Sequence, residues 1–476
     1  MIPKIDKLEF VSQFRPISLC NVVYKIISKV IVNRIKHLLN DIISPFQSSF
    51  IPGRNIHHNI IVAQEMVHSM SHMKGQKLFM SIKIDLEKTY DRLNWNFIQN
   101  CMEECKFSGK LIQVIRHCIT SPSYKIMWNG EKTDSFTPTR GIRQGDPLSP
   151  YLFVISMERL SHIIADQVEA NYWKPIRAGR NGPQISHLLF ADDLLLFAEA
   201  SIEQAHCVMH CLDMFCQTSG QKLNNQKTRI FFSKNVDDNL RDDILQHTGF
   251  SHVNSLGKYM GANISSGRAN RGHFNHTIQK VQNRFSGWKQ QCLSLAGRVT
   301  LSKSVFGSIP YYHMQYAKIP KFICDEIEKI QRGFVWGDTE QGRTAHLVGW
   351  DMCCQEKVHG GLGFKKLHIM NEAFLMKMIW NLIQKPDDLW CKVLLSKYGR
   401  NTNLNLSCNY QPYDSPLWKA LAGLWNDFHR HVVKQIGDGR HTNFWLDKWV
   451  PNNGKLFSSA SQNYIDTTHM YKLWEA

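Results

Sequence analysis

Residues 185–198 read ISHLLFADDLLLFA, two short apolar runs that meet at Ala191, Asp192 and Asp193. Runs of this length and composition predict strands buried on both faces, joined as a hairpin with the two acids at its tip. Adjacent carboxylates are costly there. Like charges repel and neither is easily desolvated, so such a pair calls for a cation or for open solvent. Taken alone the pair is a weak signal, because a solvated turn carrying two Asp residues is common.

A third carboxylate strengthens it. Residues 78–86 alternate, with Leu78, Met80, Ile82, Ile84 and Leu86 on one face and Phe79, Ser81, Lys83 and Asp85 on the other. This predicts a strand with Asp85 near its end on the polar face, so that two neighbouring strands bring their acids toward one point. Hard oxygen donors of this kind suit Mg²⁺, and a two-ion site activates an attacking hydroxyl and steadies a leaving pyrophosphate.

The surrounding chain predicts an α+β layer with helices packed on one sheet face. Apolar spacing predicts a basic amphipathic helix over 17–39 and another over about 56–71, after the Pro52-Gly53 turn signal. Further helical patterns cover 95–105 and 110–119. A hairpin with strands 124–128 and 135–139 is expected around Asn129-Gly130. The next helix is expected to begin sharply, with Asp146 as N-cap and Pro147 in the first turn.

After Lys227 the character changes. Lys and Arg total 57 against 40 acids, a net charge of +17, and the imbalance is concentrated: the 81 residues between Asp243 and Asp325 hold no acid and ten Lys or Arg. A surface that tracks a phosphate backbone needs this depletion, since each uncompensated carboxylate would repel it. A generally basic solvated face is the blander alternative. Phe274, Ile278, Val281, Phe285, Trp288, Cys292 and Leu295 form a helical stripe within the span, with Gly287 expected to interrupt it. Beyond about 340 the chain is Trp-rich, with a turn at Gly360-Gly361-Leu362-Gly363, a helix near 373–383 and a cluster from Trp445 to Trp449. The 13 scattered cysteines form no CxxC pair, and no apolar run is long enough to span a bilayer. Cys353, Cys354 and His359 have poor spacing for zinc and are read as core residues.

Several motifs in order carry a resemblance. Phe190-Ala191-Asp192-Asp193 is preceded by Ile84-Asp85-Leu86, with Tyr90 five positions after the acid, and by the segment from Arg140 to Pro150, which contains Gln144 and Gly145. This series resembles the palm of reverse transcriptases. Phe14 to Leu19, Tyr24-Lys25-Ile26, Gln47 to Arg54, Lys222 to Lys227 and Leu256 to Tyr259 look like the LINE-type, non-LTR retrotransposon branch. The Gly360 to Gly363 and Ile436 to Trp449 segments are similar to regions following the polymerase in plant members.

The resemblance implies a right-hand polymerase fold: fingers and palm over 1–235, a basic helical thumb or connection over 236–340, and a C-terminal region of unassigned role over 341–476. It implies Asp85 and Asp192 as direct ligands of two Mg²⁺ ions, with Mn²⁺ able to substitute, Asp193 in support and the Leu86 carbonyl as a further ligand. Tyr90 would lie under the incoming sugar and exclude a 2′-hydroxyl, with a core Tyr as the alternative. Gln144 and Gly145 would contact the nucleotide, the Gly permitting close backbone approach. Arg54 would reach the triphosphate and Lys227 would protonate the leaving pyrophosphate, although both also fit solvated cations. Lys258, Lys280, Arg284, Lys289 and Arg298 would grip nucleic acid through phosphates.

The implied partners are an RNA template, a DNA primer and dNTPs, with no membrane, at an intracellular location in the nucleus or a cytoplasmic ribonucleoprotein. Because the sequence opens at Met1 just before the first fingers motif, the family's endonuclease is expected to be absent and supplied in trans, and a preceding RNA-binding helix, a zinc-binding region and a ribonuclease H domain are likewise expected to be missing. Thr89 stands where the family favours Ala, His58 where it favours an acid, and Met260 to Asn263 replace a more apolar sequence. Two readings follow: an active RNA-directed DNA polymerase, or a catalytically silent nucleic-acid-binding remnant of a retroelement.

Overall fold

The computed structural model describes residues 2–4, 7, 9–73, 75–264, 271–285, 292–338, 342, 344–399, 408–433, 435–436, 444–445, 448–450 and 456. Its main elements begin with helices α1 (Val22–Ile35) and α2 (Ile56–His72), strand β1 (Phe79–Ile84), and helices α3 (Trp95–Glu104), α4 (Gly109–Thr120) and α5 (Ser149–Glu169). Strands β2 (His187–Phe190) and β3 (Asp193–Glu199) follow, then α6 (Ile202–Ser219), β4 (Arg229–Phe232), α7 (Asp238–Thr248) and β5 (Ser251–His252). A ladder of β6 (Lys258–Tyr259) and β7 (Ala262–Asn263) leads into α8 (Arg271–Phe285), α9 (Leu295–Leu301), α10 (Lys321–Trp336), α11 (Leu367–Gln384), α12 (Leu389–Tyr398) and α13 (Pro416–His431).

Five strands form one sheet in the order β5-β4-β1-β3-β2. All pairs are antiparallel except β4 with β5, which is parallel, so the sheet is mixed. Successive side chains of a strand point to opposite faces, and here both faces are buried. Met80, Ile82, Ile84, Leu194 and Leu196 join one core with α3, α4, α5 and α6. Phe79, Leu195, Phe197 and Phe231 join a second core with α2, α11, α12 and α13.

Helices therefore cover two faces, not the single face expected. The alternation at 78–86 is real, but the side read as polar carries buried Phe79 and Ser81 beneath the C-terminal helices. Trp390, Trp418 and Trp425 are almost fully buried in that second core. Burying a large apolar side chain contributes about 1.5–3 kcal/mol, so the Trp-rich segment stabilises the sheet that carries the acids.

Several boundaries differ from the expected ones. The first helix spans only Val22–Ile35, because residues after Pro16 stay extended and the Asn21 side chain caps the start by accepting from the Tyr24 amide. Its Ile31, Val32 and Ile35 are buried, whereas Val23, Ile26, Ile27 and Val30 are exposed. The hairpin at Asn129-Gly130 is tighter than expected: Met127–Trp128 pairs with Glu131–Lys132, and Tyr124 with Phe136. Positive φ at both turn residues lets the return strand start at once. Of the predicted thumb stripe, Phe274, Ile278 and Val281 are buried against α10, while Gly287 and Trp288 lie outside the described residues. Among the described residues no helix is long and apolar enough to cross a membrane.

Candidate active site

Register brings the acids to one end of the sheet. Ile84 pairs with Leu194 across β1 and β3, and Phe190 pairs with Asp193 across β2 and β3. Asp85 directly follows Ile84 at the end of β1, and Asp193 directly precedes Leu194 at the start of β3. Asp192 lies in the two-residue loop that closes the hairpin, after Ala191, whose φ is 55°. Asp192 is exposed, whereas Asp85 and Asp193 are half-buried. Burial pushes the Asp193 carboxyl above its ordinary value and the neighbouring Asp192 charge adds to this; Lys83 opposes it, and Asp85 raises it further.

The side chains share this end of the sheet without sharing one ligand sphere. Among the described residues no group of three or more His, Cys, Asp or Glu side chains is arranged to hold a metal ion. The Asp85 carboxylate is directed instead at Asn224, whose Nδ2 donates to Oδ2 at 3.0 Å. The donor set at the strand ends is nonetheless all hard oxygen, which fits Mg²⁺ or Mn²⁺ better than a softer ion.

Asn224 ties two expected site residues together. Its amide donates to the Asp85 carbonyl at 2.8 Å, while its own carbonyl and Oδ1 accept from the Lys227 amide at 3.1 and 3.3 Å. Lys227 is thus an exposed cation on a turn anchored to Asp85, and the Leu86 backbone bridges to Leu223 at the start of that turn.

Gln47 plays the matching part on the hairpin. It is fully buried, and its Oε1 accepts from the Ser49 amide at 2.8 Å and from the Ala191 amide at 3.3 Å. Phe46 and Ser48 bond to both backbone groups of Leu189, and Asn59 Nδ2 donates to the Leu189 carbonyl at 2.7 Å. The 43–54 loop thereby edges β2 and holds Ala191 in the left-handed conformation that places Asp192 in the loop. Gln47→Ala leaves the Ala191 and Ser49 amides without their acceptor, and a supporting contact of this kind is typically worth 10–100-fold in activity. The catalytic rate of the variant, measured in a single turnover, is expected to fall by about that factor.

Arg54 is engaged by the loop that carries it. Its guanidinium donates to the carbonyls of Ser44, Gln47 and Ile43, the last two at 2.7 and 2.9 Å. Burial lowers its pKa, opposed by Glu158. The buried Glu158 carboxylate accepts from the Ser44 amide at 2.9 Å, so the same loop is clamped from two sides.

Tyr90 follows Lys88, a residue of positive φ, in a short helix. Its ring stacks on Phe153 with centroids 5.0 Å apart. Burial, with the Asp192 charge adding, pushes its phenol up to about 12, so the ring stands within electrostatic reach of that acid. The Tyr90 carbonyl accepts from the Ile142 amide at 2.8 Å, and Gln144 O accepts from Ser18 N at 2.8 Å. Gly145 has φ 105°, and a Cβ there would lie 2.9 Å from the Ser18 carbonyl oxygen, so the loop needs glycine for both torsion and space.

Helix α5 spans Ser149–Glu169, and the buried Asp146 accepts from the Leu148 amide at 3.0 Å through Oδ1, as a cap does, while its Oδ2 accepts from Tyr24 Oη at 2.7 Å and pairs with Arg143 at 3.0 Å. The Arg143 guanidinium also lies over the Tyr24 ring at 4.0 Å. This triad joins α1 to the loop bearing Gln144 and Gly145.

The expected nucleic-acid cations are dispersed. Lys258 begins β6, and its carbonyl accepts from Lys83 Nζ. Lys280 and Arg284 are exposed on α8. Arg298 is half-buried beside the Gly337 backbone, which removes it from an open face. Lys289 lies outside the described residues. Gln47, Asn59, Lys83 and Asn224 escaped individual notice in the sequence because nothing local marks a polar residue whose partner lies more than a hundred positions away.

The chain is similar to known proteins over most of its length. The family described as reverse transcriptase (RNA-dependent DNA polymerase) matches residues 2–264, more than half of the chain. A putative ribonuclease H protein of Arabidopsis thaliana is 36% identical over 212 residues, 44% of this chain and 34% of that protein. The uncharacterized 149 kDa protein of transposon TX1 from Xenopus laevis is 23% identical over 85% of this chain and 30% of its own length. The Pol polyprotein of the type-2 retrotransposable element R2DM of Drosophila melanogaster is 26% identical over 48% of this chain and 20% of its own length. The chain spans about a third or less of these relatives. Among solved structures, telomerase from Candida albicans with a fragment of telomeric RNA aligns at 12% identity with a TM-score of 0.37, covering 80% of this chain and 55% of that one. With the family match extending from the first strand residues to the end of the β6–β7 ladder, and so enclosing every carboxylate described above, the chain belongs to the reverse transcriptases.

Proposed function

We propose that this chain is the polymerase of a non-LTR retrotransposon, an RNA-directed DNA polymerase that extends a primer 3′-hydroxyl with dNTPs on an RNA template. The observation that carries the reading is the convergence of Asp85, directly after β1, with Asp193 at the start of β3 and Asp192 in the adjoining loop, inside the segment matched by the family. Asp85 and Asp192, with the Leu86 carbonyl and with Asp193 in support, would hold two Mg²⁺ or Mn²⁺ ions. Such ions activate the attacking hydroxyl and neutralise the pyrophosphate as it leaves.

The chain's own groups do the rest. Gln144 and Gly145 present a backbone loop to the nucleotide, and Lys227, on the turn tied to Asp85, delivers a proton to pyrophosphate. Lys258, Lys280, Arg284 and Lys289 would follow the template-primer phosphates, with Arg298 acting through packing. Fingers and palm are assigned to 1–235, a thumb to 236–340 and a supporting C-terminal region to 341–476. The work would take place in the nucleus or a cytoplasmic ribonucleoprotein, where RNA template and target DNA meet.

The test is extension of an oligo(dT) primer on poly(rA) with dTTP and Mg²⁺ or Mn²⁺. Incorporation is expected; none, with duplex binding retained, would leave a nucleic-acid-binding remnant instead. The sugar gate has its own test. Tyr90→Ala is expected to narrow the preference for dTTP over UTP by roughly 10–100-fold, since only steric exclusion is removed. Unchanged selectivity would make Tyr90 a core residue packed on Phe153.

A further inference from the structure

A groove of about 560 Å³ lies at the opposite end of the sheet from the acids. Glu199, at the far end of β3 from Asp193, lines it, which puts the groove roughly 20 Å from the carboxylates at 3.3 Å per strand residue. Lys77, Lys174, Arg177 and Arg180 line it too, all exposed. Glu199 is the one carboxylate among the described residues that line it, and it is engaged by Lys174 at 3.7 Å.

The cations stand on a fixed support. Residues 177–184 form a tight hairpin whose strands, Ile176–Arg177 and Gln184–Ile185, pair antiparallel. Ser396 of α12 donates from Oγ to the Ala178 carbonyl at 2.8 Å, and Gly179, with φ 78°, passes so close that a Cβ would lie 2.5 Å from the Ser396 carbonyl. The Lys174 amide is held by Gln204 Oε1 at 2.7 Å, and buried Trp173 donates to the Phe197 carbonyl at 2.9 Å. Holding like charges together costs free energy in the free protein, and a polyanion recovers it on a backbone that is already ordered. Exposed Tyr172 adjoins the groove and offers a ring for a base to stack on.

We propose that this groove is a second RNA-binding surface, which holds the phosphodiester backbone of single-stranded RNA away from the site of incorporation. The volume corresponds to a cube about 8 Å on edge, too small to enclose a duplex, so the groove suits one strand. RNA as the strand rests on the reading of the chain as a template-copying polymerase. That polymerase's single-stranded substrate is RNA, and its template extends beyond the few nucleotides the active site engages.

The test measures binding of the full chain to a labelled single-stranded RNA by anisotropy between 50 and 300 mM salt, with a short blunt primer-template duplex in excess to fill the catalytic cleft. Each phosphate contact on a single strand contributes about 0.7 to the salt slope. The variant Lys77→Ala/Arg177→Ala/Arg180→Ala is expected to bind about tenfold more weakly, with the slope reduced by about 2. It should extend a primer on a template with a short overhang at the wild-type rate. Glu199→Gln, which removes the opposing charge, is expected to tighten binding. Unchanged affinity and slope in the triple variant would overturn the proposal, as would a parallel loss of short-template extension. Because anisotropy needs no incorporation, a wild-type chain that binds RNA through this groove but fails to extend primers refutes the polymerase reading alone.

Discussion

Asp192→Asn is expected to lower dTTP incorporation by roughly 10³-fold or more, because it removes one anionic oxygen from the place where charge must be balanced in the transition state. Stability should barely change. Asp192 is exposed in a two-residue loop, and such substitutions usually stay within about 0.5 kcal/mol. The change also relieves Asp193, whose carboxyl is held above its ordinary value by burial and then by Asp192, so any small effect on folding should be favourable. Primer extension beside duplex binding and a urea melt separates the two effects. A variant retaining more than about a tenth of wild-type incorporation would remove Asp192 from the proposed metal site, whereas lost binding would point to a damaged fold.

The second large effect concerns stability. Glu65 on α2 is almost fully buried and pairs with Lys397 of α12 at 2.7 Å, while Tyr398 Oη donates to the same carboxylate at 2.5 Å. Burial pushes the Glu65 carboxyl up, but the Lys397 charge and hydrogen bonds from Lys397, Ser415 and Tyr398 outweigh it and leave the carboxyl below its ordinary value. Lys397→Met strands a buried carboxylate, which costs about 3–5 kcal/mol, whereas Glu65→Gln/Lys397→Met should recover much of the loss. Urea unfolding at neutral pH checks both.

The pH dependence has a definite sign. A carboxylate depressed in the folded state contributes stability that is present above its unfolded pKa of about 4.3 and is lost as pH falls through the folded value. In Lys397→Met burial is opposed only by the hydrogen bonds from Ser415 and Tyr398, the folded value rises relative to wild type, and acid relieves the penalty. The deficit of the variant relative to wild type should therefore shrink below about pH 5. A deficit constant across that range would mean that Glu65 is not the group left uncompensated.

Much of the site was legible because its signals are local. Alternation over 78–86 and the two apolar runs around Asp192 are set by which face of a strand is buried, and the strands formed where that period placed them. The glycine at 145 was read as permitting close approach of the backbone to a nucleotide, and the structure shows a different close approach there, to the Ser18 carbonyl. Other partners carry no local mark: the Arg54 guanidinium donates to buried carbonyls of its own loop, and Asp146, besides accepting from the Leu148 amide, binds Tyr24 and Arg143.

The amino-acid sequence by itself determined the hairpin with its acids, the third acid on the adjoining strand, the order of the elements and the basic balance of the chain. Those properties depend on side-chain period and composition within windows of about ten residues. Only the tertiary structure decided that Asn224 holds Asp85 across 139 positions, that Gln47 holds Ala191 across 144, and that Lys397 reaches Glu65 across 332. Only it decided that the C-terminal helices cover the second face of the sheet. Such pairings depend on which surfaces exclude water together, and a polar side chain carries no mark of its distant partner until packing has brought the two within 3 Å.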